Sequence, residues 1–244
     1  MGKLIDYLKE QRDAKVSGQL YELTQVEVAY NSNKIEGSTV TLMQAQLLYS
    51  ENKVAGNTDL NDIVEMKNHF VLFDYMLDTA EQPLSHELIK EYHRLLKTGT
   101  NQAKLSWFAV GDYKKVENVV GAYTSTTPPK EVYSAMTALI NNYNGSDRTF
   151  QDIVDFHARF EKIHPFQDGN GRVGRMVLFK ECLANDITPV IVLDRQKLSY
   201  INGLNDYYEH PKKLLRTMEK FQKQYQKDID RFTADLLCDD DLEL

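Results

Sequence analysis

Twelve consecutive residues concentrate the groups that chemistry needs: His164-Pro165-Phe166-Gln167-Asp168-Gly169-Asn170-Gly171-Arg172-Val173-Gly174-Arg175. Pro165 follows an amphipathic stretch and should help to end its helix. Gly169 and Gly171 flank Asn170, so the backbone can turn sharply with its N–H groups inward, as an anion-binding nest. A helix beginning near Gly171 adds its N-terminal amides and positive dipole end. Arg172 and Arg175 lie three apart and share a face of that helix. A glycine turn, a helix N-terminus and two guanidinium groups describe a polyphosphate cradle. Asp168 is a hard oxygen ligand suited to Mg²⁺. His164 is the one nearby group that titrates near neutrality and can serve as general base. Phe166 is expected to anchor the loop in the core. A histidine at a helix end, a Gly-Asn-Gly turn and paired helical arginines are each ordinary alone; their combination is not.

The elements that must position this run are helical. Met66, Phe70, Phe73 and Leu77 recur at helical spacing, as do Leu88, Tyr92 and Leu95–Leu96. Ile153, Phe156, Phe160 and Ile163 share one face of a helix over 151–163. Val173, Met176, Val177 and Phe179 point inward from the helix after the run, and a late helix starts at about Pro211. Ser85 and Thr149 are the expected caps. Residues 111–129 read as a β-hairpin or extended flap, and Asn141–Asp147 as a loop by composition.

The run fits the Fic family motif His-x-Phe-x-Asp/Glu-Gly-Asn-Gly-Arg-x-x-Arg at every defined position, and the chain resembles a Fic domain over roughly residues 59–208. The resemblance implies a mainly α fold, a Fic-type helical bundle with a short β-hairpin flap over the active site. It divides the chain into an N-terminal helical segment (1–58), a core (59–208) and a C-terminal helix with an acidic tail (209–244). It implies a protein adenylyltransferase that moves AMP from ATP to a Tyr, Ser or Thr hydroxyl with release of pyrophosphate. His164 would deprotonate the hydroxyl and Asp168 would hold Mg²⁺ on the α- and β-phosphates. Gly169, Asn170 and Gly171 would line the nest, with Val173 and Gly174 in the same nucleotide-binding stretch. Arg172 would meet the β-phosphate region and Arg175 the γ-phosphate.

Upstream, Ser32-Asn33-Lys34-Ile35-Glu36-Gly37 resembles the inhibitory motif Ser/Thr-x-x-x-Glu-Gly/Asn of relatives whose inhibitor precedes the core. Gly37 also fits a plain helix stop. Set against Arg175, the Glu36 carboxylate would occupy the fork meant for the γ-phosphate and spoil in-line geometry. Val119-Val120-Gly121-Ala122-Tyr123 falls where the family's flap docks the target backbone by strand addition. Tyr200, Leu204, Tyr207 and Tyr208 follow the run on one helix, and Tyr200 and Tyr207 are the expected contacts to base or ribose.

Composition bounds the rest. The net charge of −7 argues against a sequence-independent grip on nucleic acid, which needs clustered cations. No stretch approaches the ~20 apolar residues of a membrane span, and no signal peptide is visible, so the expected compartment is the cytoplasm with no membrane partner. Cys182 and Cys238 have no ligand-like spacing and are expected as reduced thiols. The expected partner is a protein bearing a hydroxyl side chain, the chain itself included, and the resemblance admits a homodimer. Two other readings compete: removal of AMP from a target, with Glu36 orienting water, and a non-catalytic helical interaction module.

Overall fold

Helices form where apolar residues recur every three or four positions, and several begin at residues able to accept an amide hydrogen bond. In the computed structural model, residues 3–120 and 124–239 are described. Ten α-helices follow in order: α1 (Leu4–Asp13), α2 (Leu20–Ile35), α3 (Leu42–Glu51), α4 (Leu60–Thr79), α5 (His86–Lys97), α6 (Pro129–Asn144), α7 (Phe150–Ile163), α8 (Asn170–Ala184), α9 (Lys197–Asn205) and α10 (Pro211–Asp239). Ser85 caps α5 by accepting from the Leu88 N–H at 3.1 Å. Thr149 and Asp152 form a reciprocal capping box on α7. The loop expected over Asn141–Asp147 is shorter than its composition suggests. The buried stripe Val132, Met136, Leu139, Ile140 and Tyr143 carries α6 through Asn144, and the turn begins at Gly145.

α8 is the axis of the molecule. Thirteen of its fifteen residues are buried, which requires neighbours on every side. α7, α5, α4, α2 and α1 all pack against it. One apolar cluster joins Ile5 of α1, Phe73 of α4, Phe160 of α7, Phe179 of α8 and Met218 of α10, so all three expected segments share a core. A smaller cluster, with Val26, Leu48, Met66 and Phe70, fastens α3 to α2 and α4.

Most of residues 111–129 is irregular. Val119–Val120 (β1) and Thr124–Ser125 (β2) pair antiparallel, Val119 opposite Ser125 and Val120 opposite Thr124. Gly121, Ala122 and Tyr123 lie outside the described residues. Cys182 is a buried free thiol. Among the described residues no helix is long and apolar enough to cross a membrane.

Candidate active site

α7 stops at His164, whose backbone is left-handed (φ 53°). Phe166 is fully buried and stacks on His93 of α5, ring centroids 4.0 Å apart and 3° from parallel. His93 accepts from the Gly111 N–H at Nδ1 (3.0 Å), so its proton sits on Nε2, which donates to the Asp168 carbonyl (3.1 Å). Asn170 closes the loop from within: its side chain accepts from the Phe166 N–H (2.7 Å) and donates to the Phe166 carbonyl (2.8 Å). Gly169 is left-handed (φ 83°), and a Cβ there would lie 3.2 Å from Leu96 Cδ2. These restraints present the start of α8 without a capping side chain. Its first amides have no helical partner, and the dipole end is positive. Gly169, Asn170 and Gly171 form the turn into α8, and the Asn170 side chain is spent on the loop, leaving only backbone N–H groups at that turn.

His164 differs from the sequence-based expectation of a group poised near neutrality. Burial pushes its pKa down to about 4; the Glu161 carbonyl opposes this, and the Lys114 ammonium adds to it. The imidazole is therefore neutral at physiological pH, the state a base needs. Its Nδ1 is buried without a hydrogen-bond partner among the described residues.

The two arginines have separate surroundings. Arg172 is buried and donates to Glu65 of α4, to Asn33 (3.3 Å) and to Asp168 Oδ2 (3.2 Å). Lys97 of α5 reaches both carboxylates, Glu65 and Asp168 Oδ2, the latter at 2.7 Å. Burial works against charge on Asp168, but Arg172 and Lys97 outweigh it and hold the carboxyl at about 2. Arg172 is thus committed to side chains of the protein, not aimed at a β-phosphate.

Mg²⁺ fits this donor set. Both cations bind Oδ2, the side chain is 43% exposed, and Oδ1 carries no side-chain partner among the described residues. Mg²⁺ commonly takes one or two carboxylates, completing its shell with phosphates and water. The described residues hold no cluster of three metal-ligating side chains, so a Mg²⁺ ion on Asp168 would need phosphate oxygens and water for its remaining ligands.

Arg175 is held by α2 and the residue after it. Its Nε donates to Ser32 Oγ (2.9 Å), and its terminal nitrogen donates to the Ser32 carbonyl (2.9 Å) and to Glu36 Oε1 (2.7 Å). Glu36 is the C-cap of α2, and Gly37 follows at φ 99°. The ion pair lies over the cradle: a Cβ on Gly171 would fall 2.2 Å from Glu36 Oε1. Burial opposes ionisation of Glu36, but Arg175, and then Arg172, keep its pKa below the ordinary value. Lys197 anchors the same helix end by donating to the Ile35 carbonyl at 2.5 Å.

Several expected site residues serve packing instead. Val173 is fully buried. Gly174 lets α7 approach, since a Cβ there would lie 2.5 Å from Glu161 Oε1 and 3.0 Å from Phe160. Tyr200 is almost wholly buried, its ring 5.8 Å from the Arg175 guanidinium carbon and its hydroxyl against His157 Nε2 (2.8 Å). It backs Arg175 and leaves no face for a base. Tyr207 is buried and donates to Asp155 of α7, not to the 164–175 run. Residues 121–123 of the expected flap are outside the described residues, and β1 is placed by its backbone alone.

Sequence reasoning missed Glu65, His93 and Lys97. Their signal was phase: Ile89, His93 and Lys97 are four apart and buried, as are Glu65, His69 and Phe73. A charged residue in step with an apolar stripe has a buried partner.

The Fic/DOC family model matches residues 83–182. It is 32% identical over 135 residues to a probable protein adenylyltransferase of Aquifex aeolicus (strain VF5), an alignment covering 54% of this chain and 39% of that relative. A Fic domain containing signaling protein from Bacteroides thetaiotaomicron superposes with a TM-score of 0.71 at 24% identity, over 94% of each chain. Fic-1 from C. elegans gives 0.71 at 19% identity, over 95% of this chain and 72% of that one. These likenesses establish a mainly helical Fic fold.

Proposed function

We propose that this chain is a protein adenylyltransferase that carries AMP from ATP to a Tyr, Ser or Thr hydroxyl of a protein, and that Glu36 holds it in check. The observation that supports both halves is the capture of Arg175, at the cradle rim, by Ser32 and Glu36. The neutral imidazole of His164 takes the proton of the target hydroxyl. That oxygen then forms a bond to the α-phosphorus as the bond to the pyrophosphate oxygen breaks in line. The free amides at the start of α8 and the Arg175 guanidinium bind the triphosphate, and positioning with charge stabilisation supplies most of the rate. Asp168 Oδ1 would hold Mg²⁺, which supplies neutralisation of the α- and β-phosphates. β1 and β2 offer a short edge to which a target backbone adds by strand pairing. With Glu36 on Arg175, the γ-phosphate loses its site and the α-phosphate its alignment.

The test is transfer of label from α-labelled ATP to protein. Glu36→Gly is expected to raise incorporation at least about tenfold, and His164→Ala in that background to lower it by roughly 10²–10⁴-fold. Unchanged incorporation in Glu36→Gly removes the inhibitory role, and label surviving His164→Ala removes the base. Mass spectrometry of the Glu36→Gly protein after incubation with ATP identifies the adduct and its residue.

One observation favours a second reading. Glu36 is 38% exposed, and its Oε2 takes no hydrogen bond among the described residues, so it can hold a water against a bound AMP group. Release of AMP from a pre-modified protein, lost in Glu36→Gly, would select hydrolysis over transfer. A purely non-catalytic module predicts ATP affinity with no dependence on Mg²⁺.

A further inference from the structure

Beneath the cradle, four charges form a closed ring. Lys97 pairs with Glu65 and with Asp168, and Arg172 pairs with the same two carboxylates. The signs alternate and the formal charges cancel. α4, α5 and α8 each contribute one member, and the fourth, Asp168, sits on the loop and alone is substantially exposed. Removing so many charges from water is costly, and apolar side chains would fill the space at least as stably. The arrangement therefore calls for a reason beyond packing.

Two features supply one. Both cations on Asp168 bind Oδ2, which restrains the carboxylate and leaves Oδ1 without a charged partner among the described residues. A carboxylate held by two cations alone would also carry a net charge of about +1 and repel a metal ion. Glu65, touching both cations, restores neutrality.

We propose that Glu65 and Lys97 are positioning residues that aim Asp168 Oδ1 at the cradle and set the local charge met by a Mg²⁺–ATP complex. The proposal rests on the reading of Asp168 as the metal-holding carboxylate. Lys97 orients; Glu65 balances.

The sign of the charge effect separates this role from mere support of the fold. In the Glu36→Gly protein, binding of α,β-methylene-ATP is measured by calorimetry across a Mg²⁺ series, with thermal melts of each variant alongside. Glu65→Gln leaves two cations on one carboxylate, and the Mg²⁺ concentration for half-maximal nucleotide affinity should rise about tenfold. Lys97→Met leaves a surplus negative charge, and that concentration should fall by several-fold. The double variant Glu65→Gln/Lys97→Met, again neutral, should return close to the parent. Transfer of AMP should nevertheless drop in Lys97→Met, because Asp168 loses one of its two restraints, giving tighter metal linkage with a lower kcat.

Shifts of the same sign in the two single variants, or none, overturn the proposal and leave the ring a structural feature. Should Glu65→Gln not fold, the direction of the Lys97→Met shift decides alone. Absence of any Mg²⁺ linkage in the Glu36→Gly parent is a different failure: it removes the metal-site reading and this proposal with it.

Discussion

The surroundings of Arg172 and Arg175 differ in what it takes to undo them. Both arginines are buried, three residues apart on α8. Arg172 is locked to Glu65 and Asp168, in a ring completed by Lys97 at the end of α5. Its release requires several buried charges to lose partners together. Arg175 is paired with Glu36, which is 38% exposed at the C-cap of α2. Movement of this one part-exposed side chain removes the only charged partner of Arg175 at 4 Å or less among the described residues, leaving the two contacts to Ser32. The first pairing belongs to the architecture; the second is the one that relief of the proposed inhibition would have to displace.

The largest expected effect follows from that difference. Arg172→Ala leaves two carboxylates, Glu65 and Asp168, sharing the single cation Lys97 in a buried setting and should cost about 3–5 kcal/mol of stability, read as a lowered denaturation midpoint. Arg175→Ala removes a partner of Glu36, which can turn to solvent, and should cost clearly less while still weakening ATP binding. Equal losses would erase the contrast.

Acid should probe both sites next. His69 donates no charge in the folded state: burial, then Arg172 and Arg175, press its pKa to about 3. Between pH 6.5 and 3 the unfolded chain binds a proton there that the native chain refuses. Stability therefore falls with acid by up to about 1.4 kcal/mol per pH unit from this residue. His69→Gln should flatten that slope between pH 6 and 4, measured by denaturant unfolding. Asp168 acts with the same sign in a lower pH window. Its depressed pKa contributes stability that is full above the ordinary carboxyl value and lost only as pH approaches about 2.

Glu36→Gly should cost less stability than Arg172→Ala, because Ser32 still accepts from the buried Arg175, while raising transfer sharply. Lys197→Met, which frees the Ile35 carbonyl at the end of α2, is the smallest step. It should cost a few tenths of a kcal/mol and raise transfer only a few-fold over the parent. A Lys197→Met effect as large as Glu36→Gly would mean that the helix end, and not the carboxylate, is the brake.

Legibility in the sequence followed the range of the interactions. The 164–175 run, the caps at Ser85 and Thr149, and the start of α10 at Pro211 depend on neighbours within a few residues, and all were readable. The Asn141–Asn144 stretch misled because polar composition suggested a loop while its buried phase continued the helix. Tyr200 and Tyr207 were aromatic residues at helical spacing, a pattern shared by ligand contacts and core packing; burial against His157 and Asp155 makes them core. Glu65 and Lys97 carried only the faint sign of charge in an apolar phase.

By itself, the sequence determined the turn-and-helix unit proposed to receive a polyphosphate, because glycine conformations, helix amides and side-chain spacing are local properties of a chain. It also marked Glu36 as the end of a helix, through Gly37. Only the tertiary structure decided that this end lies over Gly171, that Arg172 faces inward to Glu65 and that His164 is neutral. Those outcomes depend on which distant charges share a low-dielectric interior, and packing of α2, α4 and α5 against α8 sets that.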